Sequence, residues 1–247
     1  FLVYLGFKVD GAYGAVVLSI LIPLVASLLY LKNVVKVGIK RREEYLHARD
    51  LLKFTFPTFF TSLSLISMFT TDVILTRHFF PGVESGYYSA MSVLGKIVYF
   101  AVSPIVLVLF PMISEHHAKG ESYRRLIILG TVFTLLISGL ITVIYFLAPE
   151  FMILLLFGEK YLAVASILGI FAVFISLLSL AGLFANFYLS IHKTMPSYIV
   201  SSAAVLQIIF IFLYHKTLGE IIWVSLITAF LLLFTLLLYY PHAISKK

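Results

Sequence analysis

The 247-residue sequence contains no cysteine, and only 12% of its residues are charged. The absence of cysteine excludes disulfide frameworks, thiolate metal sites and cysteine nucleophiles. A soluble domain carries about 25% charged residues, whereas this chain is 62% hydrophobic and has a mean hydropathy of +1.08. Its 23 Phe and 15 Tyr exclude intrinsic disorder. The predicted solvent is therefore lipid.

Motifs of catalysis are also missing. The sequence has no His-Glu-x-x-His, no Gly-x-Ser-x-Gly and no glycine-rich phosphate loop. The run Glu115-His116-His117 resembles a metal cluster, but adjacent side chains on a helix point in different directions. No metal site is predicted there, and we expect neither an enzyme nor a resident cofactor.

Seven apolar runs are long enough to cross the hydrocarbon layer, which takes about 20 helical residues. The runs are continuous and do not alternate polar with apolar residues, so they predict helices and not the strands of a barrel. The predicted fold is all-α, a polytopic membrane helix bundle. The seven predicted spans are Ala12–Leu31, Phe54–Thr76, Tyr87–Phe110, Leu126–Ala148, Leu162–Ile191, Ser197–Tyr214 and Glu220–Tyr240.

The distribution of the basic residues, which give the chain a net charge of +7, predicts an orientation for these spans. Thirteen Lys and Arg residues fall on one side of the predicted spans, four fall on the other, and Lys96 remains within a span. Basic residues are concentrated in the cytoplasmic loops of membrane proteins. We therefore expect the C-terminus and the connection between the first two spans to be cytoplasmic, and the chain to start outside.

The one long polar connection runs from Lys32 to Lys53. Apolar residues such as Tyr45, Leu46 and Leu51 stand among its charges, which is typical of an amphipathic helix on a membrane surface. It can serve as a hinge between two bundles or be an ordinary solvated loop, and the sequence leaves both open. The predicted organisation is the last span of a truncated N-terminal bundle (1–31), a cytoplasmic connector (32–53) and a six-helix C-terminal bundle (54–247).

Two ionisable side chains, Asp72 and Lys96, fall inside predicted spans. Each costs about 2.5–3.5 kcal/mol at the centre of a membrane helix, so each needs a role. Lys96 shares a helix face with polar residues three or four positions apart, including Ser92 and Tyr99, and a stripe in a later span includes Asn186. Two explanations stay open: a water-filled pathway, or helix packing with a buried Asp72–Lys96 ion pair.

Four segments, by their order and spacing, resemble polysaccharide and oligosaccharide flippases of the multidrug/oligosaccharidyl-lipid/polysaccharide exporter superfamily. They are GYYSAMSVLGK from Gly86, LFPMIS from Leu109, FGEKY from Phe157 and NFYLSIHKT from Asn186. The position of Asp72 before Gly86 also fits. The resemblance implies two six-helix bundles around a central cavity, of which this chain supplies the last span of the first and all of the second.

The resemblance also implies that a lipid-linked oligosaccharide is moved across the inner or plasma membrane by alternating access. Because the pyrophosphate of that cargo is anionic, Lys96 is expected to contact it, with Tyr99, Ser92 and Asn186 as further substrate-binding residues. Asp72 is expected to bind a coupling Na⁺ or H⁺. The expected partners are the bilayer, the anionic lipid-linked glycan and the missing N-terminal half of the chain, without nucleic acid.

Three other functions remain as alternatives. A cation-coupled multidrug exporter of the same superfamily is expected to offer acidic pockets to cationic drugs, whereas the deepest charge here is positive. A seven-helix receptor agrees with the span count, but the last span has no lysine for a retinal Schiff base. A membrane-embedded transferase needs clustered carboxylates or a histidine at the interface, and the spans supply one aspartate.

Overall fold

The computed structural model describes residues 8–35 and 48–245, and every regular element in these two ranges is helical. The all-α prediction is confirmed for them. The elements are α1 (Lys8–Val35), α2 (Ala48–Met68), α3 (Thr71–Phe79), α4 (Gly82–Ala118), α5 (Arg124–Leu147), α6 (Pro149–Leu156), a 3₁₀ helix (Glu159–Val164), α7 (Ala165–Ser190), α8 (Met195–Leu213) and α9 (Leu218–Ser245). They fall into two compact units: α1 belongs to the first, and α2–α9 form the second.

Within the described ranges, six helices are long and apolar enough to cross a membrane, and there is a seventh span if α2 and α3 are counted together. The predicted span Phe54–Thr76 is therefore two helices, with a bend of 42° between them. The eight residues of α6 are too few to cross a membrane. The structure agrees with a multi-pass membrane protein, and the predicted count of seven depends on how the bent pair is counted.

The predicted connector lies largely outside the described residues, which omit 36–47. Its two ends are helical, since α1 continues to Val35 and α2 begins at Ala48. The amphipathic surface helix and the three-part division of the chain stay predictions. α1 has exposed apolar side chains throughout 16–31, including Val16, Ile20 and Leu31, as expected of a helix whose neighbours are lipid or other helices.

α7 is the central helix of the second unit. In the span that ends with α7, 72% of the residues in the most apolar stretch are buried, against 22% for α4 and for α5. Buried tyrosines connect α5 to α4 and α7 to α9. The Tyr145 hydroxyl donates to the Leu94 carbonyl of α4 at 2.9 Å, and the Tyr188 hydroxyl donates to the Leu236 carbonyl of α9 at 2.6 Å. An enclosed helix surrounded by helices with apolar outer faces is the arrangement expected of a bundle in lipid.

The bend between α2 and α3 is held by a side chain of α8, the helix that packs against α2. Nε2 of Gln207, on α8, donates to the Met68 carbonyl at the end of α2 at 3.0 Å, and to Ser225 Oγ on α9 at 2.9 Å. Gln207 is only 1% exposed. Because a helix end within lipid must find partners for its last carbonyls, Gln207 fixes the end of α2 against α8 and α9.

Gly95 allows α4 and α7 to pack closely, because a Cβ at this position would overlap the ring of Phe171. Phe171 is fully buried and cannot move aside. We expect Gly95→Ala to lower the free energy of unfolding by about 1–3 kcal/mol, as overpacked cores do. Denaturant titration of the protein in mild detergent, followed by helical circular dichroism, measures the change.

Gly139→Ala on α5 is the matched control, since nothing lies within 4 Å of a Cβ at this position. Replacing a helical glycine by alanine without a clash stabilises by roughly 0.5–1 kcal/mol. Equal unfolding free energies for the two variants would contradict the close α4–α7 packing.

Candidate functional site

α2, α4 and α7 line a groove of about 290 Å³ on the second unit, here called the α2–α4–α7 groove. Part of its lining is polar and part is apolar. The polar residues are Ser62 from α2, Tyr99 and Ser103 from α4, and Ser179 and Asn186 from α7. The apolar residues are Leu65, Ile66, Val102, Val106 and Leu107, and Gly182 completes the lining.

Three polar groups of this groove are available to a ligand, and the first is the exposed Ser62 hydroxyl, which makes no hydrogen bond within the described residues. Asn186 donates from Nδ2 to the Gly182 carbonyl at 2.8 Å, one turn earlier in α7, and its amide oxygen has no hydrogen-bond partner in the described part of the chain. The Tyr99 hydroxyl likewise has none there, and this side chain is half-buried. By contrast, the Ser179 hydroxyl already donates to the Ile175 carbonyl at 2.8 Å.

Lys96 lies beside the groove without lining it. It precedes Tyr99 by about one turn of α4 and is half-buried. Its Nζ is 5.3 Å from the ring centroid of Phe69, and that ring stacks on Tyr99 with centroids 4.9 Å apart. Phe69 belongs to the break between α2 and α3. These three side chains therefore connect the break to the groove.

Asp72 lies in the first turn of α3 and is fully buried. Its Oδ2 accepts a hydrogen bond from the Tyr88 hydroxyl at 2.8 Å, and its Oδ1 accepts one from the Val73 backbone N–H at 2.8 Å. A carboxylate near a helix N-terminus is also stabilised by the helix dipole. The Asp72–Tyr88 bond joins α3 to α4.

The alternative of a buried Asp72–Lys96 ion pair is not observed. The two side chains form no salt bridge in the described structure. The carboxylate is satisfied by Tyr88 and Val73 instead. Lys96 therefore has no carboxylate paired with it among the described residues.

Of the other predicted substrate-binding residues, Ser92 lies apart from Tyr99 and Asn186 in the structure. Ser92 is 2% exposed, does not line the groove, and its hydroxyl has no hydrogen-bond partner within the described residues. Tyr99 and Asn186, from two different helices, both line the groove. At the end of α4, Glu115 pairs with Lys119, and the described ranges contain no cluster of three His, Asp or Glu side chains suited to a metal.

Three residues without a role in the sequence analysis take part in this arrangement: Phe69, Tyr88 and Gln207. Tyr88 could have been found, because Asp72 and Tyr88 lie at similar distances before and after Pro81, where the chain turns. In an antiparallel helix pair such residues come side by side. No comparable signal marks Phe69 or Gln207, whose partners depend on how distant helices pack.

Comparison with known families matches residues 1–166 to a family model described as a polysaccharide biosynthesis protein. The chain belongs to this family. The match contains Asp72, Ser92, Lys96 and Tyr99, whereas Asn186 lies beyond it. Comparisons with curated proteins and with solved structures gave no significant match. Family membership confirms the resemblance, and together with the apolar helices it indicates a multi-pass membrane protein of polysaccharide biosynthesis.

Removing the Tyr88 hydroxyl leaves one oxygen of the buried Asp72 carboxylate without its donor. We expect Tyr88→Phe to lower the free energy of unfolding by about 1–3 kcal/mol, the usual cost of an unsatisfied buried group. Denaturant titration in detergent measures it.

Tyr87→Phe is the control for this change. Tyr87 is half-buried, contacts Tyr161 through its ring, and its hydroxyl makes no hydrogen bond within the described residues. Its effect should stay within about 0.5 kcal/mol. Equal losses in both variants would show that the Asp72 carboxylate does not depend on Tyr88.

Proposed function

We propose that this protein exports a lipid-linked oligosaccharide or polysaccharide precursor, and that Lys96 contacts the anionic phosphate between lipid and sugar. The position of the Lys96 amine carries the proposal. It lies about 21 Å along α4 from Gly82, half-buried and with no carboxylate paired to it within the described residues. A charge at this depth costs about 2.5–3.5 kcal/mol. A cargo phosphate that binds Lys96 and leaves again during transport would explain why the Lys96 amine has no permanent ion pair.

The Phe69 ring serves as the partner of Lys96 when cargo is absent. A cation–π contact contributes about 0.5–2 kcal/mol, depending on how far it is desolvated. Phosphate binds an ammonium group through charge-assisted hydrogen bonds, which are shorter and stronger than neutral ones. The amine can therefore leave Phe69 for an arriving phosphate and return to it afterwards.

The α2–α4–α7 groove suits the rest of such a cargo. The Tyr99 hydroxyl and the Asn186 amide oxygen can bond to sugar hydroxyls, while Leu65 and Val106 offer an apolar wall. None of the described residues lining it is acidic, which favours a neutral or anionic cargo over the cationic drugs of a multidrug exporter. Ser92 is left out of this contact because its hydroxyl is enclosed.

We further propose that Asp72 couples transport to H⁺. Its partner Tyr88 lies on α4, the helix that also carries Lys96. Both hydrogen-bond partners of the carboxylate donate hydrogens to it, which leaves few oxygen ligands for Na⁺. Protonation of Asp72 would remove a buried charge and alter the bond between α3 and α4. A proton gradient would thereby act on the substrate-binding helix.

Lys96→Ala tests the phosphate contact. We expect translocation of the lipid-linked glycan between leaflets, measured with the full chain in proteoliposomes, to fall at least about tenfold, because a hydrogen bond to a charged group contributes about 1.5–3 kcal/mol. Lys96→Arg should retain part of the rate, since it keeps the charge. Lys160→Ala, which removes an exposed lysine of the 3₁₀ helix, is the control. Wild-type rates for Lys96→Ala would refute the contact.

Asp72→Asn tests the coupling separately. Asparagine keeps the size of the side chain but cannot exchange a proton with the solution. We expect an imposed pH gradient to accelerate translocation in wild-type proteoliposomes and to have no effect on the variant. Glu84→Gln, at an exposed acidic residue in the first turn of α4, should respond as wild type does. An Asp72→Asn protein that still responds to the gradient would overturn the coupling role.

A further inference from the structure

A second groove, of about 340 Å³, lies between α5, α7 and α9. Its wall is apolar except for Thr131 and includes Ile128, Val132, Phe184 and Leu237, while Arg124 and Tyr240 stand at one end. Here it is called the α5–α9 groove. Phe184 lies two residues from both Gly182 and Asn186 on α7, about 200° around the helix from each. The α5–α9 groove is therefore on the opposite side of α7 from the α2–α4–α7 groove.

The charge of Arg124 is uncompensated. Arg124 is the first residue of α5 and forms no ion pair or hydrogen bond within the described part of the chain. Glu115 is paired with Lys119, and Glu121 Oε2 lies 3.6 Å from His116 Nε2, so neither carboxylate is paired with Arg124. The free N–H groups at the start of α5 add further positive potential. The end of the groove at Arg124 therefore attracts an anion, whereas the apolar wall beyond it suits an uncharged chain.

We propose that the α5–α9 groove binds an anionic phospholipid of the bilayer. Its phosphate would lie at Arg124 with the Tyr240 hydroxyl beside it, and an acyl chain would lie along Ile128, Val132 and Leu237. Basic pockets between membrane helices bind acidic lipid headgroups in this way. A cation at the mouth of a long apolar groove matches a molecule with one charged end. This inference does not depend on the transport proposal, and its test measures no transport.

The test uses the single tryptophan of the chain, Trp223, which is exposed, lies outside the groove and is about 25 Å along α9 from Tyr240. In a Trp223→Phe background, Ile128→Trp places a fluorescent reporter in the groove. The protein is reconstituted in bilayers containing acyl-brominated phosphatidylglycerol or acyl-brominated phosphatidylcholine, and quenching gives the relative binding constant of the two lipids.

We expect the reporter at position 128 to favour phosphatidylglycerol about fivefold, the effect of about one basic side chain near a membrane surface. Native Trp223 should show no preference. Arg124→Gln should reduce the preference to about one, and Arg124→Lys should retain it. Arg125→Gln is the matched control, because Arg125 is exposed and does not line the groove. Raising the ionic strength should weaken the preference.

Four results would overturn the proposal. One is equal quenching by the two lipids at position 128. Another is an Arg124→Gln variant that keeps the preference for phosphatidylglycerol, or an Arg125→Gln variant that loses as much of it as Arg124→Gln does. Either result would indicate an effect of general surface charge. A third is displacement of the lipid by soluble glycerol phosphate, which would indicate a site for the free phosphate. The last is a reporter that neither lipid quenches, which would mean that protein, such as a second copy of the chain, covers the groove.

Discussion

Lipid offers a polypeptide no hydrogen bonds, and this constraint acts most strongly on the break between α2 and α3. Gln207 satisfies the Met68 carbonyl from α8, and Tyr88 satisfies the Asp72 carboxylate from α4. The aromatic ring of Phe69, at the break itself, is covered by residues of α4. These partners belong to other helices, so the bend is held by tertiary contacts. The bend is therefore part of the tertiary structure of the bundle. The Asp72–Tyr88 hydrogen bond attaches α3 to α4 beside it.

α4 combines two kinds of contact on one rigid element. Tyr88 bonds to the carboxylate of α3, and Tyr99, eleven residues later, lines the α2–α4–α7 groove. The distance along the helix is about 17 Å, and Lys96 lies between them. A helix transmits a rotation or a shift along its length because its backbone bonds resist local deformation. Under the proposed coupling, a shift of α4 at Tyr88 would therefore reach the groove without requiring a chain of side chains between them.

Hydropathy alone predicts where the helices are, because apolar runs of this length have few other solutions in lipid. It does not predict the bend, since the run stays apolar enough for one span despite Ser67, Thr70, Thr71 and Asp72 around Phe69, and Gln207 is distant in sequence. To predict which side chains Asp72 can reach, residues must also be counted from the turn at Pro81. Counted from Pro81, Asp72 lies nine residues before the turn, and Lys96 lies fifteen after it. That leaves about 9 Å between them along the helix axes, which explains why no ion pair forms.

The two grooves use opposite sides of α7, and this separation limits how one can affect the other. A bound lipid changes transport only when it binds one conformation of the bundle more tightly than another. The lipid proposed for the α5–α9 groove contacts Arg124 on α5 and Tyr240 on α9. If α5, α7 and α9 move together during transport, the groove keeps its shape and the lipid stabilises all states equally. Only movement of α5 or α9 against α7 would make the lipid a regulator.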